Sequence, residues 1–195
     1  KECKINKIKF LTSVFNINDI KNLKKLNIKE IKIPSHEIHN LELIKSCIKN
    51  FNKVFISTGA SKWSEIKKLE KIIKNKKNIC LMHCVSSYPC LPENINLPRF
   101  KSLNKLSKFL GYSGHMAGID DAIASICSGA TVIEKHFTIN KNLPGRDNKN
   151  AILPDEMMML SVFAKNYNKM SINKGLDLQK CEMDIYKNYR GRWSK

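Results

Sequence analysis

Short β-rich runs alternate with helical stretches along most of the chain, and no other feature of the sequence narrows the fold so far. The runs span residues 7–15, 28–35, 53–59, 78–88, 109–115 and 131–138. Between them the apolar residues recur at helical spacing. Ile66, Leu69, Ile72 and Ile73 share one face of a helix predicted over 61–74. Ile119, Ala122, Ile123 and Ile126 do the same after Gly118, with Asp120 and Asp121 in the first turn and Gly129 at the C-cap. A further helix is predicted over 154–169. Strands that alternate with helices in this way predict a parallel sheet built from βαβ units.

Two architectures satisfy that rule, and the polar residues choose between them. Thr12 and Ser13 end the first run, Ser35 and Glu37 follow the second, and Ser57 and Thr58 end the third. Ser86 and Tyr88 follow the fourth, Ser113 and His115 the fifth, Glu134 and His136 the sixth. Every strand thus delivers hydrogen-bonding or ionisable groups at its C-terminal end. A barrel does this because all its strands open onto one face, whereas a doubly wound sheet gathers its ligand groups at one switch point. Neither GxGxxG nor GxxxxGK[ST] occurs. The expected fold is therefore α/β, a partial (β/α)8 TIM barrel holding the last six strands. The barrel is assigned to 1–169, and 170–195 reads as a linker towards a further C-terminal domain. Eight strands close such a barrel, so about a quarter of it is expected upstream of Lys1. Six strands alone leave two open edges, an aggregation liability.

Composition excludes several functions. Lys and Arg outnumber Asp and Glu 35 to 17, for a net charge of +18. Only Arg99, Arg146, Arg190 and Arg192 are arginines, and the lysines are spread from end to end. A nucleic-acid surface clusters its charge and leans on arginine, so no nucleic-acid partner is expected. Such a field still attracts anions, phosphorylated metabolites among them. No apolar run reaches the ~20 residues of a membrane helix, so no membrane association is expected. The seven cysteines form no CxxC pair and no zinc-ligand ladder. They read as reduced thiols of a cytoplasmic protein.

His115 and His136 end consecutive strands, which are neighbours in a parallel barrel. Their imidazoles either ligate a divalent metal or serve as ordinary hydrogen-bonded histidines. Glu134 shares parity with His136 and faces the same side. It is an acid/base, a partner of the metal ligands, or a counter-ion for a buried lysine. Lys32 lies between Ile31 and Ile33. If these pack outward, Lys32 points into the barrel and needs an anion there, either a neighbouring carboxylate or a ligand's phosphate or carboxylate. Ser13, Ser35, Ser57 and Thr58 could add donors around that anion. His83 reads as a satisfied core histidine, and Met157–Met159 as helix packing.

Six segments then match one family in order and spacing. They are Lys32-Ile-Pro-Ser-His-Glu-Ile-His-Asn40, Ile56-Ser-Thr-Gly59, Leu81-Met-His-Cys-Val-Ser-Ser-Tyr-Pro89, Gly111-Tyr-Ser-Gly-His115, Gly129-Ala-Thr-Val-Ile-Glu-Lys-His-Phe-Thr138 and Leu143-Pro-Gly-Arg-Asp147. Over most of 10–155 the chain resembles the sialic acid synthases (N-acetylneuraminate synthases). The resemblance implies a (β/α)8 barrel that condenses phosphoenolpyruvate with an N-acetylated amino sugar, giving a sialic-type acid and phosphate. It implies a divalent metal, manganese or magnesium, on His115 and His136. It places Lys32, Ser13, Ser35, Ser57 and Ser113 around phosphoenolpyruvate, and Glu37, Tyr88 and Asp147 on the sugar. Glu134 falls near the reacting carbon. A homodimer is expected when the protein is full length, and low activity of these 195 residues alone. Synthases for legionaminic, pseudaminic or spore-coat sugars share the motifs, and an inactive barrel remnant is the remaining alternative. Gly114 stands where many members carry aspartate.

Overall fold

Alternation along each strand sorts the side chains into two sets, and the fold follows from where each set goes. Ile31 and Ile33 are fully buried on one face of their strand, while Lys32 between them points to the other. The computed structural model describes residues 1–74 and 76–194. It contains six parallel strands paired in chain order: β1 (Thr12–Ser13), β2 (Glu30–Ile33), β3 (Lys53–Ser57), β4 (Ile79–Cys84), β5 (Phe109–Gly114) and β6 (Val132–Lys135). The sheet curls into a half-barrel, with helices on its convex face.

The main core lies between that face and the helices, around Ile31, Ile33, Leu43, Ile56, Leu81 and Leu103. The helix Leu41–Asn50 shows how local sequence builds it. Asn40 caps it by accepting from the Leu43 N–H at 3.1 Å, and Leu43, Ile44 and Cys47 form its buried stripe. Loss of such a cap costs about 1 kcal/mol. On the concave face, Phe55, Cys80 and Met82 pack with Val132 and plug the lower lumen. The next layer up is polar.

Several details differ from the sequence reading. The first strand was expected over 7–15, yet only Thr12 and Ser13 pair. Among the described residues β1 has a neighbour on one side only, and Ile8, Phe10 and Leu11 stay exposed. The helix expected over 61–74 is two segments, Trp63–Lys68 and Glu70–Ile73. Met157–Met159 do not pack as expected. The helix Pro154–Met170 buries one narrow stripe, Leu160 with Phe163, Ala164 and Tyr167, and all three methionines are exposed. Residues 171–194 contribute nothing to the buried core and include a short helix, Met183–Asn188. No helix among the described residues is long and apolar enough to cross a membrane.

Candidate active site

Register places the polar layer. Ser13 pairs with Lys32, and Cys84 with Ser113 and Ser113 with Glu134. Registered residues of parallel strands face the same side, so all five point into the lumen. Curvature then brings the ends of the sheet together. Lys32 Nζ on β2 donates to Glu134 Oε1 on β6 at 2.7 Å, and Ser113 Oγ donates to the same oxygen at 3.2 Å. The Lys32 side chain is 12% exposed and that of Glu134 40%, so the pair opens towards the mouth. The contact realises one of the alternatives for each residue, the neighbouring carboxylate for Lys32 and the lysine counter-ion for Glu134.

His115 and His136 stand directly above, at the ends of β5 and β6, with ring centroids 5.5 Å apart. His115 Nδ1–H donates to the Val85 carbonyl at 2.8 Å, which leaves Nε2 with a free lone pair. Tyr88 lies against both rings, at 4.1 Å from His115 and 6.2 Å from His136. Burial lowers the pKa of His136, and the charge on His115 lowers it further. Burial also disfavours the His115 cation, but Cys84 and the Val85 carbonyl outweigh it and leave that pKa raised.

The β4 end supplies groups that the sequence reading passed over. Cys84 Sγ lies 3.9 Å from His115 Nδ1 and accepts from Ser35 Oγ at 3.4 Å. Burial opposes its ionisation, yet its hydrogen bonds to His115 and Ser35 more than compensate, and its pKa is lowered. Ser35 Oγ also accepts from the Gly59 N–H at 3.1 Å. Gly59 leaves room for this cluster: a Cβ there would press on Ser86 Oγ and come within 2.8 Å of Ser35 Oγ and 2.9 Å of Cys84 Sγ, so these side chains would have to shift. Parity with Met82, one step down the lumen wall, was the available signal for Cys84.

The other expected site residues vary in distance from this centre. Ser57 Oγ is buried and has no hydrogen-bond partner among the described residues. It faces the lumen with Phe55, one pleat below the mouth. Asp147 shares a surface pocket of about 280 Å³ with His136. Glu37 sits on the turn after β2 and accepts from Asn40 Nδ2 at 3.2 Å, outside the hydrogen-bonded cluster. A larger cleft of about 540 Å³ lies between the Asp120–Cys127 and Pro154–Met170 helices, lined by residues such as Ile126, Leu160 and Tyr167. It holds none of the mouth's titratable groups. His83 is buried as a core histidine, with Nε2 2.6 Å from the Ile95 carbonyl and Nδ1 without a partner among the described residues.

His115 and His136 are the two imidazoles that could hold a divalent cation here. Among the described residues no group of three or more His, Cys, Asp and Glu side chains could complete a shell, so water or substrate oxygens would fill the remaining positions.

A family described as the NeuB family matches residues 1–175. The chain belongs to the NeuB family. It is 40% identical over 158 residues to an N,N'-diacetyllegionaminic acid synthase of Campylobacter jejuni, covering 78% of this chain and 47% of that protein. It is 30% identical over 176 residues to an N-acetylneuraminate-9-phosphate synthase of Drosophila melanogaster, covering 87% and 47%. A solved N-acetylneuraminic acid (sialic acid) synthetase of Leptospira borgpetersenii, in complex with citrate, superposes with a TM-score of 0.85 at 30% identity. That match covers 97% of this chain and 68% of the other. The NeuB chain described here thus spans about half the length of the curated relatives it matches.

Proposed function

We propose that the protein carrying this chain condenses phosphoenolpyruvate with an N-acetylated amino sugar, forming a nonulosonic acid and inorganic phosphate, and that it works as a homodimer. The observation that carries the reading is the lumen cation, Lys32, set beside Glu134 and directly under the His115–His136 pair.

Lys32 and the hydroxyls of Ser13, Ser35, Ser57 and Ser113 would neutralise the phosphate and carboxylate of phosphoenolpyruvate. A phosphate group competes for the Lys32 ammonium and frees Glu134 from it. Tyr88, Glu37 and Asp147 would hold the sugar in its open-chain form. His115 and His136 would hold a divalent metal, manganese or magnesium, whose chemistry when bound is Lewis-acid polarisation of the sugar's aldehyde oxygen. The methylene carbon of phosphoenolpyruvate forms a bond to the aldehyde carbon, and the aldehyde oxygen becomes a hydroxyl by taking up a proton. Cationic character develops at the carbon that bears phosphate. Glu134 orients a water onto that carbon and accepts its proton. The carbon–oxygen bond to phosphate then breaks as the remaining proton of the added water passes to the departing phosphate, leaving the 2-keto acid and inorganic phosphate; the proton taken by Glu134 balances the one gained by the aldehyde oxygen.

Identity favours a diacetamido acceptor. The legionaminic acid synthase is 40% identical to this chain, against 30% for the N-acetylneuraminate-9-phosphate synthase. The test is phosphate release by the full-length protein with phosphoenolpyruvate, manganese and either N-acetylmannosamine or a 2,4-diacetamido sugar. Metal-dependent release, abolished by EDTA and in both His115→Ala and His136→Ala, supports the reading. A folded protein silent with every sugar overturns it in favour of a non-catalytic barrel.

A further inference from the structure

Behind the wall that carries the two histidines lies a buried ionic network with no part in the chemistry above. Lys135 Nζ donates to both carboxylate oxygens of Asp121 at 3.0 Å and to the Met116 carbonyl at 2.6 Å. Tyr112 Oη donates to Asp121 Oδ2 at 3.0 Å, and the Ala122 N–H to Oδ1 at 2.8 Å. The Lys135 and Asp121 side chains are 1% and 0% exposed. Every donor and acceptor of the pair is engaged.

Placing two charges out of water costs more than a well-packed apolar pair of the same volume, so stability is a poor reason for keeping them. Their position supplies a better one. Lys135 immediately precedes His136, Gly114 immediately precedes His115, and Gly114 and Lys135 are register partners. The ammonium reaches past this pair to the carbonyl of Met116, just beyond His115. Asp121 closes on Gly114 from outside, since a Cβ there would lie 2.5 Å from Asp121 Oδ2 and 3.1 Å from Lys135 Cδ. A side chain of any size at 114 would displace the network. The backbone on both sides of His115 and the residue before His136 are therefore fixed by one three-way contact on the far side of the sheet.

We propose that Lys135, anchored by Asp121 and Tyr112, is a positioning residue that sets the spacing and aim of the His115 and His136 imidazoles. This rests on the reading of those histidines as a metal pair. Residues that orient metal ligands from behind influence affinity without touching the ion, by about 10–100-fold.

The test replaces the network without leaving an orphaned charge: Tyr112→Phe, Asp121→Leu and Lys135→Met together, in the full-length protein. Ile133→Val, a packing change on the same outer face of β6, is the control. Manganese affinity is read by electron paramagnetic resonance of the free ion, and stability by thermal melting, neither of which needs turnover. The expected result is a 10–100-fold weaker manganese Kd in the triple variant and an unchanged Kd in the control, even where the control melts as low. Should the triple variant fail to fold, Tyr112→Phe alone, which loosens Asp121 but leaves the ion pair, is expected to weaken the Kd in the same direction. A triple variant, or failing that the single one, that is folded and binds manganese as the parent does overturns the positioning role while His115→Ala still abolishes binding. A parent protein with no manganese affinity overturns both the metal pair and this inference.

Discussion

Lys32 Nζ lies 2.7 Å from Glu134 Oε1, so a residue on β2 and one on β6 meet across the lumen of a sheet in which they are never neighbours. The contact is a consequence of curvature, and it puts the candidate base and the candidate anion-binding cation on one hydrogen bond. The two should separate kinetically. Glu134→Gln keeps the shape and the acceptance of the Ser113 hydroxyl but cannot take a proton. It is expected to lower kcat by about 100–10,000-fold with little change in the phosphoenolpyruvate KM. Lys32→Met should instead raise that KM most. Steady-state phosphate release over a phosphoenolpyruvate series distinguishes the two, and equal losses in both parameters for both variants would contradict the division of labour.

Ser57 Oγ is buried without a partner among the described residues. An unmade hydrogen bond of this kind costs about 1–3 kcal/mol. Ser57→Ala is expected to leave the ligand-free protein at least as stable as the parent while weakening phosphoenolpyruvate. Thermal melting with and without phosphoenolpyruvate reads both effects. A lower ligand-free Tm would mean that the hydroxyl has a structural partner.

His83 carries a pH dependence of stability. Burial holds its pKa below the ordinary 6.5, against a hydrogen bond to the Ile95 carbonyl that works the other way. The unfolded chain therefore binds the extra proton first as the pH falls below 6.5. Stability is full above that point and is lost on acidification until the folded-state pKa is reached, at up to about 1.4 kcal/mol per pH unit. His83→Leu preserves contact with Phe100 and Tyr112 and should flatten this part of the profile in urea unfolding at pH 5.5–7.5. Parallel profiles for variant and parent would assign the slope elsewhere.

The cysteines should react in two classes. Cys127 and Cys181 are exposed, whereas Cys47 and Cys80 are buried, and burial pushes their thiols up to about 12 and about 11. At pH 8, iodoacetamide is expected to modify Cys127 and Cys181 in the folded protein, and Cys47 and Cys80 only after unfolding. Peptide mass mapping checks this. Early labelling of Cys47 would show that the helix Leu41–Asn50 opens readily.

The parallel half-barrel was legible because its signals are local. Alternation around Lys32 and the polar ends of six strands are one-dimensional patterns, and register converts them directly into a lumen. The lengths of β1 and of the 61–74 helix were not legible, since a strand pairs only as far as its neighbour allows. Met157–Met159 misled for a related reason: their helix packs along one stripe, and periodicity alone does not say how wide a stripe is covered. Cys84 and the Lys135–Asp121 pair escaped because their significance lies in contacts between residues on separate elements, such as the 3.0 Å bonds from β6 to the Asp120–Cys127 helix.

Each strand pairs with the next one along the chain, but the Lys32–Glu134 contact closes over 102 residues. During synthesis, at about 5–20 residues per second, Glu134 emerges seconds after Lys32. The nascent sheet can grow strand by strand in that interval through helical crossovers, each far shorter than the span from Lys32 to Glu134 and so cheaper in closure entropy. Lys32 meanwhile stands on an open surface without its counter-ion, inviting water and solution anions into what will become the lumen. The Lys32–Glu134 contact therefore forms only once all six strands are present, and a chain interrupted before β6 would lack it.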